Sequence, residues 1–133
     1  YPIAQEEMDQ LNYVQLFPKS EDNLFRKLHS TPWEVESKIT SNFSLKKQQM
    51  LFSEIKDKNA FDIIYFDAFG ARVQPELWTE EMFQIMYDAL KPQGVLVTYS
   101  AKGSVKRAML SVGFSVERLD GPPGKRHMLR ATK

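Results

Sequence analysis

Residues 61–69 read Phe-Asp-Ile-Ile-Tyr-Phe-Asp-Ala-Phe. A run this short and this nearly apolar, closing on a carboxylate, predicts a strand of a parallel sheet with helices on both faces. Asp67 stands where such a strand ends, and in open α/β sheets ligands bind just beyond the carboxyl ends of the strands. Gly70 and Pro75 mark a loop there, and Trp78 precedes a helix start at Thr79. A carboxylate and two aromatics, Phe69 and Trp78, therefore gather on the usual ligand edge. The same residues also read as a turn cap and two core aromatics, and spacing alone does not choose between the two.

The chain after this run sets the topology. Thr79 is a helix N-cap, Glu80 and Glu81 suit the positive end of the helix dipole, and Met82, Phe83, Met86 and Leu90 form one apolar face. Lys91, Pro92 and Gly94 end that helix, and residues 94–101 form a second buried strand, parallel to the first through a right-handed crossover. Ser104 caps a helix with the stripe Val105, Ala108, Met109 and Val112, and Gly113 is its C′ residue. Residues 114–120 and 125–133 form two strands joined by the Gly-Pro-Pro-Gly turn at 121–124, hence antiparallel. The order β-α-β-α-β-β predicts an α/β fold, a doubly wound sheet with an antiparallel end.

The first sixty residues are less patterned. Met8, Leu11 and Leu16 have helical spacing up to the break at Pro18; Ser20 then caps a short helix carrying Leu24, Phe25 and Leu28, with His29 at its end. Phe43 and Leu45 alternate with polar residues, which predicts a half-exposed strand over 43–49, and 51–58 reads as a short helix.

With 133 residues the chain is the size of one domain, and a formal charge of +1 does not mark a nucleic-acid binder. It has no cysteine, which excludes a thiol nucleophile and a disulfide framework. His29 and His127 lie too far apart for metal-ligand spacing, so no metal site is expected. With no apolar run near the ~18 residues of a membrane span and no signal segment, the expected location is cytoplasmic. The opening Tyr1-Pro2-Ile3 lacks an initiator methionine and reads as a fragment or a processed chain.

Several motifs stand together in register: Asp67-Ala68-Phe69; Pro75 to Thr79; Gly94-Val95-Leu96-Val97-Thr98-Tyr99-Ser100; Gly103 to Arg107; Gly113-Phe114; and Gly121-Pro122-Pro123-Gly124-Lys125-Arg126-His127-Met128-Leu129. Over 61–131 this chain resembles the MnmC-like tRNA-modifying methyltransferases. Residues 1–60 match only loosely, through Leu11-Asn12-Tyr13 and His29 to Trp33. The resemblance implies a Rossmann-like class I sheet, S-adenosyl-L-methionine as cofactor, and methylation of the aminomethyl group of 5-aminomethyl-2-thiouridine at the tRNA wobble position. It implies Asp67 as the catalytic carboxylate, Asp67 and Ala68 toward the cofactor, and Phe69, Trp78 and Tyr99 toward the wobble base in the anticodon loop. Lys102, Lys106, Arg107, Lys125 and Arg126 become candidates for tRNA phosphates, against the plain reading of solvated surface.

The chain departs from that family pattern in two ways. Ala71 stands where a proline is common. None of the six glycines pairs as GxG, and no acidic residue that would hold a ribose or the adenine side is evident; Gln48, Gln49 and Met50 stand near the latter position. The expectation is the C-terminal half of such a domain, without its first two strands, inactive alone and weak toward the cofactor. The 61–67 strand would then be paired either by 43–49 or by a second molecule, and the shortness of 43–49, with Lys46 and Lys47, points to a homodimer. The alternatives are a non-catalytic α/β module that binds RNA or protein, and a class I methyltransferase with another acceptor.

Overall fold

A computed structural model describes residues 3–12, 22–124 and 126–133. The expected break at Pro18, the cap at Ser20, and Tyr13, Leu16 and Lys125 lie outside the described residues. The chain divides into two compact units, Tyr1–Gln49 and Met50–Lys133.

In the first unit, helices α1 (Gln5–Gln10) and α2 (Asp22–Ser30) precede a small antiparallel pair, β1 (Glu36–Lys38) and β2 (Ser44–Lys46). Thr31 closes α2 by donating its backbone N–H to Lys27 O at 3.1 Å. The Lys47 ammonium lies 5.2 Å from the Trp33 ring centroid and donates to the His29 carbonyl at 2.9 Å. That cation–π and hydrogen-bond pair ties the chain after β2 to the end of α2. The strand expected over 43–49 is thus β2, and its partner is β1, in a two-stranded sheet separate from that of residues 61–65.

The second unit holds a mixed four-stranded sheet of β3 (Phe61–Tyr65), β4 (Leu90–Thr98), β5 (Ser115–Asp120) and β6 (His127–Thr132) in the order β3-β4-β6-β5. β3 and β4 are parallel, with Ile64 opposite Leu96 and Tyr65 opposite Val97, as the crossover requires. The last strand inserts antiparallel between β4 and β5, and the β5–β6 hairpin matches the expected one. Helices α3 (Glu80–Ala89) and α4 (Gly103–Ser111) supply the core with Met82, Phe83, Met86, Val105 and Met109, packed on Phe66, Leu96, Leu129 and Ala131. Burying a side chain of this size contributes roughly 1.5–3 kcal/mol.

The helix ends follow the sequence closely. The Thr79 hydroxyl accepts from Met82 N–H at 3.3 Å, satisfying one orphan donor of α3. α4 ends in a Schellman motif: Gly113 N–H donates to Leu110 O at 3.1 Å and Phe114 N–H to Met109 O at 3.2 Å, with Gly113 at φ 106°. Ser104, in contrast, lies inside the first turn of α4; the N-cap is Lys102, which makes no side-chain cap bond. Residues 51–58 form only a 3-10 turn at Phe52–Glu54. Three residues are too few for the periodicity that would hold an α-helix against fraying.

The burial of β3 departs further from expectation. Helices on both faces were expected, yet within residues 50–133 both long helices pack on the face of Ile64, Phe66 and Leu96. The alternate residues Phe61, Ile63 and Tyr65 are 42%, 46% and 76% exposed, and β3 is an edge strand. Its composition is that of a central strand, while its place among the described residues is at the rim.

The amino end of β3 is pinned instead by Lys133, whose ammonium donates to the Leu90 carbonyl at 2.7 Å and to Asn59 Oδ1 at 2.9 Å. Lys58 is hydrogen-bonded to Asp88, and with the Gln84 amide it holds the Asp88 carboxyl below its ordinary range. A folded-state value below the unfolded one means that this contribution is present at neutral pH and is lost as pH falls through the lowered value. Urea titrations of Asp88→Asn at neutral and acid pH should therefore show a smaller stability loss on acidification than in the native chain; an identical acid slope would mean that the Lys58 pair contributes nothing to it. A second test is Gly94→Ala. A Cβ on Gly94 would meet Lys91 O at 2.8 Å and Phe61 O at 3.1 Å, both backbone atoms that cannot swing away. The substitution should cost about 1–3 kcal/mol in a urea melt, the usual range for overpacking.

Candidate active site at the strand ends

Past Tyr65 the chain leaves the ladder but keeps its alternation: Phe66 and Ala68 are buried, while Asp67 and Phe69 are exposed. Phe66 N–H still donates to Val97 O at 2.8 Å. Two carbonyls beyond it are taken by side chains. The Tyr99 hydroxyl donates to Ala68 O at 2.8 Å, and the Trp78 indole N–H donates to Phe69 O at 2.8 Å. Gly70 O then accepts from Val73 N–H at 2.7 Å. Three successive carbonyls are thereby fixed, so residues 68–70 have a defined path although no strand holds them.

The aromatic donors are themselves held. Trp78 meets Phe66 and Tyr99 edge-on, with centroids 5.3 and 6.0 Å apart. At 6% exposure its indole is turned into the core. A stacking role for Trp78 on a ligand does not fit that burial; the packing alternative holds for it, and its N–H acts on the Phe69 backbone. Phe69 itself is 71% exposed, so its ring is presented rather than packed.

Asp67 makes no hydrogen bond or ion pair with any other described residue and is exposed. It lies between two cavities. One, of about 300 Å³, is lined by Asp67, Ala68, Phe69, Gly70 and Tyr99. The other, of about 290 Å³, is lined by Tyr65, Phe66, Asp67, Val97, Thr98, Tyr99, Pro122 and Met128. Asp67 and Tyr99 belong to both. An acceptor-only carboxylate without a protein donor, beside aromatic rings, suits a cationic or amine-bearing ligand.

Of the residues singled out from the sequence, the fold brings Asp67, Ala68, Phe69 and Tyr99 to one place. Lys102, Arg107 and Arg126 are exposed and Lys106 half-buried. Lys102 stands at the start of α4, three residues beyond Tyr99, and Arg126 directly before β6. Tyr65, Pro122 and Met128 line the site without having been expected there. A signal for Tyr65 exists in the sequence: 65, 67 and 69 continue one period-2 face through the strand end. Nothing local marks Pro122 or Met128, which arrive from the β5–β6 hairpin through the β4–β6 pairing. Among the described residues no three His, Cys, Asp or Glu side chains converge to hold a metal ion, and no helix is long and apolar enough to cross a membrane.

Comparison with known proteins bears on this geometry. A family model described as S-adenosyl-L-methionine-dependent methyltransferase matches residues 22–133. The tRNA 5-methylaminomethyl-2-thiouridine biosynthesis bifunctional protein MnmC of Psychrobacter sp. (strain PRwf-1) is 31% identical over 91 residues, which are 68% of this chain and 12% of that protein. The protein of the same name from Aeromonas hydrophila is 31% identical over 68 residues, 51% of this chain and 10% of that protein. The chain thus spans only a small part of the length of these curated relatives. Among solved structures, MNMC2 from Aquifex aeolicus superposes with a TM-score of 0.67 at 24% identity, over 86% of this chain and 38% of that one. That likeness supports the Rossmann-like sheet read from the sequence. Because the family match runs unbroken through both strand ends and Asp67, this chain belongs to the S-adenosyl-L-methionine-dependent methyltransferases.

Proposed function

We propose that the protein carrying this chain methylates the aminomethyl group of 5-aminomethyl-2-thiouridine at the wobble position of tRNA, with Asp67 as the residue that holds the amine. The observation that carries this is Asp67 itself: an exposed carboxylate with no partner among the described residues, at the end of a parallel strand, on a turn fixed by Tyr99 and Trp78. The acceptor is taken from the names of the MnmC relatives.

The residues present fit the methyl-bearing end of the family's cofactor. A sulfonium is cationic, and the carboxylate of Asp67 with the rings of Phe69 and Tyr99 gives it a complementary wall beside the small Ala68. We assign Asp67 and Ala68 to that end alone. When bound, S-adenosylmethionine supplies an electrophilic methyl group on sulfur. The acceptor amine must lose its proton to attack, and an alkyl ammonium has a solution pKa of about 10, near that of lysine. Asp67 accepts a hydrogen bond from the ammonium and takes up one of its protons, then holds the neutral amine with its lone pair aimed at the methyl carbon, whose bonding pair to sulfur would stay on sulfur as the methyl leaves. Phe69 offers an exposed ring on which a base of the anticodon loop can stack, as single-stranded RNA is commonly read. Tyr99 lines the same cavity and fixes the turn. Lys102, Lys125 and Arg126 are the candidates for anticodon-loop phosphates.

The reading of a binding module without catalysis predicts tRNA retention without turnover. Transfer of labelled methyl from S-adenosylmethionine to undermodified tRNA separates the two. Asp67→Asn keeps the side chain's shape but removes its charge and basicity. It should lower turnover by about 10²- to 10⁴-fold, the usual contribution of a positioned acid–base group, with an unchanged melting curve. Unchanged turnover would take Asp67 out of the mechanism.

Among the described residues the outer edge of β3 has no partner strand, which supports a second copy there. Asp62 is already paired with Lys91 at 2.8 Å, so two β3 edges can approach antiparallel without unpaired like charge, Ile63 facing Ile63. Backbone groups left without water or a partner would cost about 1–3 kcal/mol each. Analytical ultracentrifugation should give a dimer that Ile63→Lys converts to monomer; a native monomer at every concentration would mean that something else covers this edge.

A further inference from the structure

The cavity on the Tyr65 side of Asp67 is not needed for the cofactor end assigned above, and its chemistry differs. Apart from Asp67 and Thr98, the residues that line it are aromatic or apolar. At about 290 Å³ it lies at the lower limit of small-molecule sites, roughly 300–1,000 Å³, and suits one planar ring better than a dinucleotide-sized ligand. Tyr65 projects beside it at 76% exposure, and Met128 faces it from the start of β6. A ring from β3 and a thioether from β6, on either side of β4 in the sheet, give a planar ligand two polarizable surfaces. The wall bearing Met128 belongs to the hairpin whose turn, 121–124, carries Pro122.

Resting on the methyl-transfer reading, we infer that this cleft seats the pyrimidine ring of the acceptor, and that Tyr65 and Met128 are specificity-determining residues which select a ring-borne amine over a free alkyl amine. The ring packs between Tyr65 and Met128, and its aminomethyl arm reaches Asp67, which lines the same cleft. The β5–β6 hairpin is then part of the acceptor site rather than only the closing element of the sheet. Tyr65 acts on binding and not on proton transfer, so its loss raises KM and leaves kcat near the native value.

The test uses the whole protein that carries this chain, with ¹³C-labelled methionine methyl groups, the Met128 signal being assigned from Met128→Leu. The probe is the nucleoside 5-aminomethyl-2-thiouridine. The Met128 methyl should move upfield under the ring current of the bound base, while Met8, in the other unit, stays in place. Tyr65→Ala should weaken nucleoside affinity about tenfold, within the range for one lost base–aromatic stack. Tyr65 is exposed, so the variant keeps its fold, and a circular dichroism melt checks this. A Met128 signal that ignores the nucleoside while labelled methyl still passes to tRNA overturns the cleft and leaves the methyl-transfer reading standing. A Met128 signal that responds only to S-adenosylmethionine also overturns it and gives the cleft to the cofactor. Absence of both the shift and methyl transfer removes the two readings together.

Discussion

Two hydrogen bonds on consecutive carbonyls, Tyr99 hydroxyl to Ala68 and Trp78 indole to Phe69, are the contacts on which the site depends. A chain that leaves a sheet loses the ladder that satisfied its backbone, and each orphaned carbonyl must find water or a side chain. Here the donors are large aromatics anchored in the core, so satisfying the carbonyls also fixes the turn. Asp67 gains its position without being paired itself. A salt-bridged Asp67 would hold its geometry equally well but would meet an incoming cation already neutralised. Positioning through neighbouring carbonyls leaves the carboxylate available to a ligand.

The same arrangement gives two aromatics of similar sequence standing different roles. Phe66, Trp78 and Tyr99 form an edge-on cluster beneath the turn, whereas Phe69 stands out from it. Trp78 has a polar edge that reaches back to the turn, so burial still serves a hydrogen bond. Phe69 has no such handle, and the alternation that buries Phe66 and Ala68 directs it outward with Asp67.

The sheet presents its apolar residues unevenly. α3 and α4 cover the face of Ile64, Phe66 and Leu96, and β3 is left with Phe61, Ile63 and Tyr65 exposed and one backbone edge open. An open strand edge is a template for further pairing. Among the described residues, the apolar character of β3 is thus left on view at its edge and in the cleft beside Tyr65. Lys133 and Lys91 hold its amino end in place through Asn59, the Leu90 carbonyl and Asp62, so the edge is ordered.

Much of this was legible in the chain of amino acids. The parallel β3–β4 pair, the Thr79 cap, the Gly113 C′ position and the terminal hairpin each rest on interactions between near neighbours, and near neighbours are what a sequence displays. The place of Asp67 just past a strand end was legible because an apolar run that closes on a carboxylate marks where a strand stops. What the sequence left open depended on distant partners. It could not tell that β2 would pair with β1 rather than β3, since a three-residue strand carries too little pattern to specify its partner. Nor could it turn Trp78 inward and Phe69 outward, because that choice is made by Phe66 and Tyr99 each meeting the indole in space. It held no sign of Pro122 and Met128 beside Tyr65, which are neighbours only because β6 inserts next to β4. Periodicity and capping belong to the local chain; which face is covered, and which hairpin closes over a strand end, is decided by packing.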